Sequence, residues 1–488
     1  MILGLYSTRL VLQILGVNDY GVFSLVAGVV TLLSFFTSAL ASATQRFLSY
    51  YQGTKDIKQI RELFSNCLLL HIILGLFVVV VLESVGPFLF NGFLNIDPSR
   101  IGAARVLYQV VIFNLLVSFL TAPFTALAIS HENIVFTSIV GISDAVLKLV
   151  FVLLLNFIPF DKLIVYGSSI LLIHIIDLVA QAIYCKISYK ETTIFGFSSV
   201  NKQFLKEFSS FTGWSLYNTG CNIGRTQGVA IILNKFYGTA VNAAYGLSAS
   251  VVSYVSVISQ SLINAISPRI MKMEGGGNRE RMLWLCALES KVAFFLLSAL
   301  SIPVMFELTT ILTIWLGKVP QYAEILCCMG LITTLADMTT TGLSLANFAM
   351  GKLKNFSLYV YSIKLLTIPA AIVCLYLYDS IVSLVLVYIA VEIIEATVRL
   401  PFMKKNGGIS ITGYLKRVHL RLVLPTVIMV AVCWTLTTFF TFTGRFIVTF
   451  VVAIIVYVPS VYLFGLTTEE KVMTNNMLLN IKSRFSKK

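Results

Sequence analysis

Residues 236–269, FYGTAVNAAYGLSASVVSYVSVISQSLINAISPR, read as a second copy of residues 14–46, ILGVNDYGVFSLVAGVVTLLSFFTSALASATQR. An offset of 222 aligns Gly16 with Gly238, Leu25 with Leu247, Ala27 with Ala249, Leu40 with Leu262 and Ala43 with Ala265. Apolar matches arise easily by chance, so the polar positions carry more weight. Thr31, Ser34, Ser38, Ser42 and Gln45 fall on Ser253, Ser256, Gln260, Asn264 and Ser267. Steps of three and four put each set on one face of an α-helix. Each copy ends in an arginine, Arg46 or Arg269, one residue out of register. The same wet stripe half a chain apart implies two similar lobes facing a polar space.

Composition states what the lobes sit in. Of 488 residues, 57% are hydrophobic and 12% charged, and the mean hydropathy is +0.89. A soluble domain carries roughly twice that charged fraction. The expected fold class is all-α, a polytopic membrane protein with about fourteen transmembrane helices. The apolar windows are 1–16, 20–45, 63–90, 103–130, 133–158, 163–186, 209–234, 239–266, 286–316, 322–350, 356–378, 381–401, 418–441 and 444–466. The fourth and tenth are long enough to be tilted or kinked. The first is short and lacks the basic region and cleavage site of a signal peptide. Its start reads like the middle of a helix, which suggests that a preceding piece is missing.

These windows divide the chain into a first lobe (1–190, helices 1–6), a polar inner connection (191–208), a second lobe (209–402, helices 7–12), and two further helices with a basic tail (403–488). The two pseudo-symmetric lobes thus hold six helices each. The connection, with Gly196 and several serines, is the candidate hinge.

The net charge of +14 reflects topology. With a cytoplasmic N-terminus, twenty-five of the basic residues fall in the inner loops and tail, and six in the outer loops (Arg100, Arg105, Lys162, Lys235, Lys318 and Arg445). This asymmetry follows the positive-inside rule and places both termini in the cytoplasm. Membrane lipids are the implied partner of the basic surface; a nucleic-acid footprint is not. All eight cysteines lie in or beside spans without paired spacing, and read as apolar packing residues.

Charges inside spans cost roughly 2.5–3.5 kcal/mol on insertion scales, so each should meet a cavity or a partner. Arg9, with Tyr6 and Gln13 at helical spacing, is read as cavity-facing; the alternative is that it snorkels to the inner surface. Helix 5 offers Asp144 and Lys148 at the spacing of an ion pair. Helix 6 places His174, Asp177 and Gln181 on one face, a possible proton relay or a polar ladder between packed helices. Helix 7 brings Ser215, Asn218, Asn222 and Arg225 into line, and Arg225 is the leading functional charge. The alternative for it is pairing with an acid elsewhere. Asp337 and Lys364 lie deep and lack local partners. Glu289, Lys291 and Arg399 are expected near the interface, and Gly275-Gly276-Gly277 in a flexible inner loop. Helices 13 and 14 look like an appendage to the lobes.

There is no zinc motif, nucleophile elbow or nucleotide loop. No cofactor or metal is implied, and neither an enzyme of bond chemistry nor an ATP-driven pump finds its machinery here.

Val17-Asn18-Asp19-Tyr20-Gly21-Val22-Phe23 and Ala43-Thr44-Gln45-Arg46-Phe47-Leu48 resemble segments of bacterial polysaccharide-repeat-unit flippases. These are O-antigen and capsule transporters within the multidrug/oligosaccharidyl-lipid/polysaccharide exporter superfamily. Phe160-Asp161-Lys162-Leu163-Ile164, Gly213-Trp214 and Val241-Asn242-Ala243-Ala244-Tyr245-Gly246 extend the resemblance over essentially the whole chain. It implies two six-helix bundles that open alternately inward and outward in the bacterial inner membrane. Helices 1, 2, 7 and 8 would line the cavity, and the cargo would be an undecaprenyl-pyrophosphate-linked oligosaccharide bound for the outer leaflet and surface polysaccharide. A polysaccharide polymerase and other assembly proteins would be the partners. Arg9, Arg46, Arg225 and Arg269 could meet the pyrophosphate, with Asn218, Asn222, Gln260 and Asn264 hydrogen-bonding sugars. Asp144, Asp177 and Asp337 would be the candidates for ion coupling.

Three rivals stay open. An ion-coupled drug or metabolite exporter predicts an acid-lined cavity. A membrane glycosyltransferase or polymerase predicts a large outer loop bearing catalytic residues, and none here exceeds about fifteen residues. A scaffold would not need Arg225 and Asp337 in mid-span.

Overall fold

In the computed structural model, residues 2–31, 33–93, 96–192, 202–317, 319–442 and 444–485 are described, apart from some side chains among 2–34, 92–93 and 477–485. The helices of the first part are α1 (Ile2–Thr31), α2 (Ser34–Thr54), α3 (Ile57–Phe88), α4 (Ile101–Ser130), α5 (Ile134–Leu154) and α6 (Lys162–Ser188). Then come α7 (Lys202–Tyr237), α8 (Thr239–Gly275), α9 (Arg279–Phe306), α10 (Leu308–Leu316), α11 (Ala323–Met338) and α12 (Thr341–Met350). The series closes with α13 (Leu353–Phe356), α14 (Ser362–Leu365), α15 (Thr367–Tyr378), α16 (Ile381–Gly407), α17 (Ile411–Arg417), α18 (His419–Phe439), α19 (Arg445–Ser460) and α20 (Thr468–Phe485). No strand occurs among the described residues. Helices satisfy every backbone group within one segment, which hydrocarbon demands.

All fourteen apolar windows fall on helical segments. Among the described residues ten helices are long and apolar enough to cross a membrane, and an eleventh span is formed by α11 and α12, bent by 51° at their junction. That junction is the kink expected in the tenth window. The first window falls on α1, the second on α1 and α2, and the seventh on α7. The chain is thus an all-α, multi-pass membrane protein.

Helix starts follow from short polar side chains. Asp56, Asn133, Asp161, Asn278, Ser380 and Ser410 each accept a hydrogen bond from a first-turn backbone N–H of α3, α5, α6, α9, α16 and α17. Each cap is worth about 1 kcal/mol.

At the end of the first apolar window stands a single non-helical residue, Gly16, with φ 79° inside α1. Its aligned partner Gly238 joins α7 to α8 with φ 80°. That left-handed φ is open to glycine at little cost, so the repeat extends to the backbone. The copies differ further on. α8 runs unbroken, whereas α1 ends at Thr31 and α2 begins at Ser34, so the first stripe is split between two helices.

Two compact units emerge: residues 1–219 with 271–277, and residues 220–270 with 278–488. In the first, α4 is the hub, packed on α6, α2, α3 and α1. The segment after α8 belongs here too. A Cβ on Gly275 would lie 1.8 Å from the Tyr50 carbonyl oxygen. The triple glycine is therefore not a free inner loop at its start, because Gly275 packs backbone to backbone against α2. In the second unit α9 is central, packed on α12, α18, α11 and α19. The two C-terminal helices are accordingly part of this unit's core. Glu307 accepts from Arg445 Nε at 2.9 Å and from Thr449 Oγ1 at 2.8 Å, tying α19 to the end of α9.

Candidate functional site

The first unit holds a cavity of about 510 Å³. Its walls come from α2 (Ser38, Ser42, Gln45), α4 (Ser118, Thr121, Thr125), α5 (Asp144) and α6 (His174, Asp177, Gln181). The expected ion pair forms, with Lys148 Nζ donating to Asp144 Oδ2 at 2.9 Å. His174 faces the other Asp144 oxygen at 3.8 Å through Nε2, while its Nδ1 lies 2.6 Å from Asn114 Oδ1. Thr125 donates to Gln181 at 2.6 Å. His174, Asp177 and Gln181 thus share one face, as their spacing predicts, and α5 adds the carboxylate. None of these charged side chains is sealed: those of Asp144, Lys148 and His174 keep about a quarter to a third of their exposure. The site combines acids, an imidazole and hydroxyls around open volume, and can hold water, protons or a hydroxyl-bearing ligand.

The second unit holds a charge cluster of a different kind. Glu392 and Glu395 on α16 stand one turn apart. Arg225 of α7 pairs with Glu392 and lies 4.6 Å above the Tyr388 ring. Lys364 of α14 bridges Glu392 at 3.7 Å and Glu395 at 3.2 Å. Arg399 joins Glu395 and Asp337 of α11, each at 2.7 Å. Three cations and three carboxylates form one chain of pairs, almost wholly buried apart from Asp337. Deep Asp337 and Lys364 obtain the partners that their sequence position requires. Arg225 takes the alternative assignment, an ionic partner on another helix. The carboxylates of Asp337, Glu392 and Glu395 converge closely enough for a metal ion, but three resident cations already neutralise them.

Glu289, Lys291 and Arg399, expected near the interface, are enclosed by protein, each 2% exposed or less. Lys291 reaches Glu470 at the start of α20. Glu470 also accepts from the Thr467 N–H at 2.7 Å, and Thr467 Oγ1 returns a bond to the Glu470 N–H, a capping box.

The other nominated residues divide in the same manner. Arg46 is 7% exposed, with its guanidinium 4.5–5.3 Å from the ring centres of Phe47, Tyr50 and Phe211. Gln260, Asn264 and Arg269 on α8 are exposed, and Asn218 and Asn222 on α7 are half-buried. The side chains of Arg9, Tyr6, Thr31 and Ser34 lie outside the described residues, as does most of the proposed hinge, 193–201.

A third cluster went unread in the sequence. Arg100 donates to Asp19 at 2.8 Å and to Asp161 at 2.6 Å, joining α1 to the starts of α4 and α6. Asp19 and Asp161 belong to two of the segments on which the family resemblance rests. Their spacing alone could not reveal a shared arginine from a third segment. Burial would raise the Asp161 carboxyl, but hydrogen bonds from Arg100 and the Leu163 N–H outweigh it and hold the group below the usual range.

No protein-family model and no curated protein matches the sequence. Solved structures do match. An outward-facing multidrug resistance MATE family transporter of the MOP superfamily aligns over 83% of this chain and 92% of its own, with a TM-score of 0.72 at 12% identity. A MOP superfamily transporter from Pyrococcus furiosus, whose binding pocket is described as reversed in polarity, aligns over 84% and 94% (TM-score 0.67, 14% identity). The Vibrio cholerae MATE transporter VcmN, in its bent form, aligns over 85% and 100% (TM-score 0.64, 15% identity). The chain has the fold of the MATE transporters of the MOP superfamily.

Proposed function

We propose that the protein is a secondary transporter working by alternating access, and that it moves undecaprenyl-pyrophosphate-linked oligosaccharides from the inner to the outer leaflet for surface polysaccharide synthesis. The observation that carries the cargo assignment is the character of the accessible polar stripes. Ser38, Ser42 and Gln45 line open volume, and Ser253, Gln260 and Asn264 are exposed on α8. They are neutral hydrogen-bonding groups suited to sugar hydroxyls. The lipid tail would stay in the bilayer while the headgroup crosses.

The anionic headgroup then falls to Arg269, exposed at the end of the α8 stripe, together with Arg9. Arg225 pairs with Glu392, and Arg46 lies against the rings of Phe47, Tyr50 and Phe211. Asp144 and Asp177 are the ion-coupling candidates that line open volume.

A second reading, an ion-coupled drug or metabolite exporter, is favoured by the acid-bearing cavity of the first unit and by the MATE transporters with which the fold is shared. In the Pyrococcus protein, pocket polarity was taken to indicate a different function, so polarity is the property that should separate cargo classes on this fold.

The test is mass analysis of polyprenyl-linked sugars from a strain lacking the gene. A complete repeat unit accumulating at the inner leaflet, with loss of surface polysaccharide, supports the flippase. Normal lipid-linked pools with an intact coat would move the assignment to the exporter.

A further inference from the structure

The junction between α11 and α12 is held from two sides by different chemistry. On one side Arg399 binds the Asp337 carboxylate at 2.7 Å and donates to Thr340 Oγ1 at 3.2 Å. Tyr414 of α17 donates to the Thr339 carbonyl at 2.9 Å. On the other side α9 closes in. Gly342 donates its N–H to Ser290 Oγ at 2.8 Å, and a Cβ there would lie 1.9 Å from the Cys286 carbonyl and 2.7 Å from Glu289 Oε2. Glu289 is therefore wedged against the break itself.

Glu289 is 0% exposed, and neither carboxyl oxygen has a hydrogen-bond partner among the described residues. Among the described residues no cation pairs with it. Arg225, Lys364 and Arg399 are committed to Glu392, Glu395 and Asp337, and Lys291 to Glu470. A charged carboxylate in such a place bears the full cost of desolvation, whereas the neutral acid does not. The titratable groups facing it are Asp337 on α11 and Tyr414 on α17, and α12 carries none. On α18, His419 packs against Tyr414. On α19, Tyr457 bonds Ser298 and Arg445 bonds Glu307.

We infer that Glu289 is a proton-binding site, carrying a proton in this structure and placed so that its loss puts a bare charge against the α11–α12 junction. A second negative charge beside Asp337 would compete for Arg399, the residue that bonds both the last turn of α11 and the connection to α12. The site does not depend on which cargo is carried.

Thermal unfolding of the full-length protein in detergent, measured against pH for wild type and E289Q, tests it without a transport assay. Glutamine has the shape of the neutral acid. At low pH the two proteins should unfold together. As pH rises and Glu289 must give up its proton inside the fold, wild type should lose stability by several degrees while E289Q stays level. Parallel curves at every pH, or E289Q less stable throughout, would overturn the proposal. Should E289Q fail to accumulate, infrared spectra of wild type decide. A protonated-carboxyl band at neutral pH that vanishes at alkaline pH supports the site, and its absence at neutral pH overturns it.

Discussion

Both units place carboxylates and cations on neighbouring helices, yet they handle them in opposite ways. In the first, Asp144, His174 and Asp177 line about 510 Å³ of open space, Lys148 pairs with Asp144, and all stay partly exposed. In the second, Arg225, Lys364, Arg399, Asp337, Glu392 and Glu395 neutralise one another, and all but Asp337 are sealed. Water can relieve a charge left over in the first cluster. Nothing can do so in the second, because breaking one partner of a buried pair strands the other. The difference separates charges that can act on a ligand from charges that mainly hold helices together.

The largest expected effect follows directly. Arg225→Ala leaves Glu392 short of its main partner and should cost about 3–5 kcal/mol, visible as a steep drop in protein level and unfolding temperature. The double change R225M with E392M keeps Lys364–Glu395 and Arg399–Asp337 and should recover most of that stability. If R225A protein accumulates normally and transport alone fails, the arginine acts on cargo and the comparison breaks.

A smaller effect is expected at Gly342. An added methyl group must displace the Cys286 backbone, at a cost of about 1–3 kcal/mol. Gly342→Ala should therefore lower the unfolding temperature, whereas Gly141→Ala, beside the open cavity, should not. A Cβ on Gly141 meets nothing within 4 Å.

How much of this could be read beforehand depends on the range of the interactions. The stripe on α8, the Asp144–Lys148 pair and the shared face of His174, Asp177 and Gln181 are helix-period features, and spacing reveals them. The Gly16–Gly238 correspondence was legible as sequence, although its left-handed backbone was not. Arg225–Glu392 spans 167 positions, and Lys291–Glu470 spans 179. No local pattern links such residues, so sequence could state only that each charge needed a partner. The break between α1 and α2 escaped notice because residues 31–34, TLLS, contain no glycine or proline. The interfacial placement of Glu289, Lys291 and Arg399 assumed that burial is avoided, whereas the fold supplies partners for two of them.

Arg100 supplies an intermediate case, charge-assisted but partly wet. Arg100→Ala should cost about 1 kcal/mol and loosen the hold between α1 and the starts of α4 and α6, measurable as faster hydrogen exchange around Asp19 and Asp161. The pH dependence has a definite sign. With the Asp161 carboxyl held low in the fold, its contribution is present above the ordinary carboxylate range and disappears as pH falls through the lowered value. R100A should remove that acid sensitivity.

The smallest stability effect belongs to the open cavity. Asp144→Asn exchanges a solvated ion pair for a neutral hydrogen bond and should cost under about 1 kcal/mol, with the transport defect far exceeding the change in stability.

The most direct measurement is complementation of a strain lacking the gene, at matched protein levels, by two doubly substituted proteins. One carries R225M and E392M; the other carries D144N and D177N. The account predicts that surface polysaccharide returns with the first and fails with the second. Export lost with R225M/E392M and retained with D144N/D177N would contradict it, and would move the working charges to the sealed cluster.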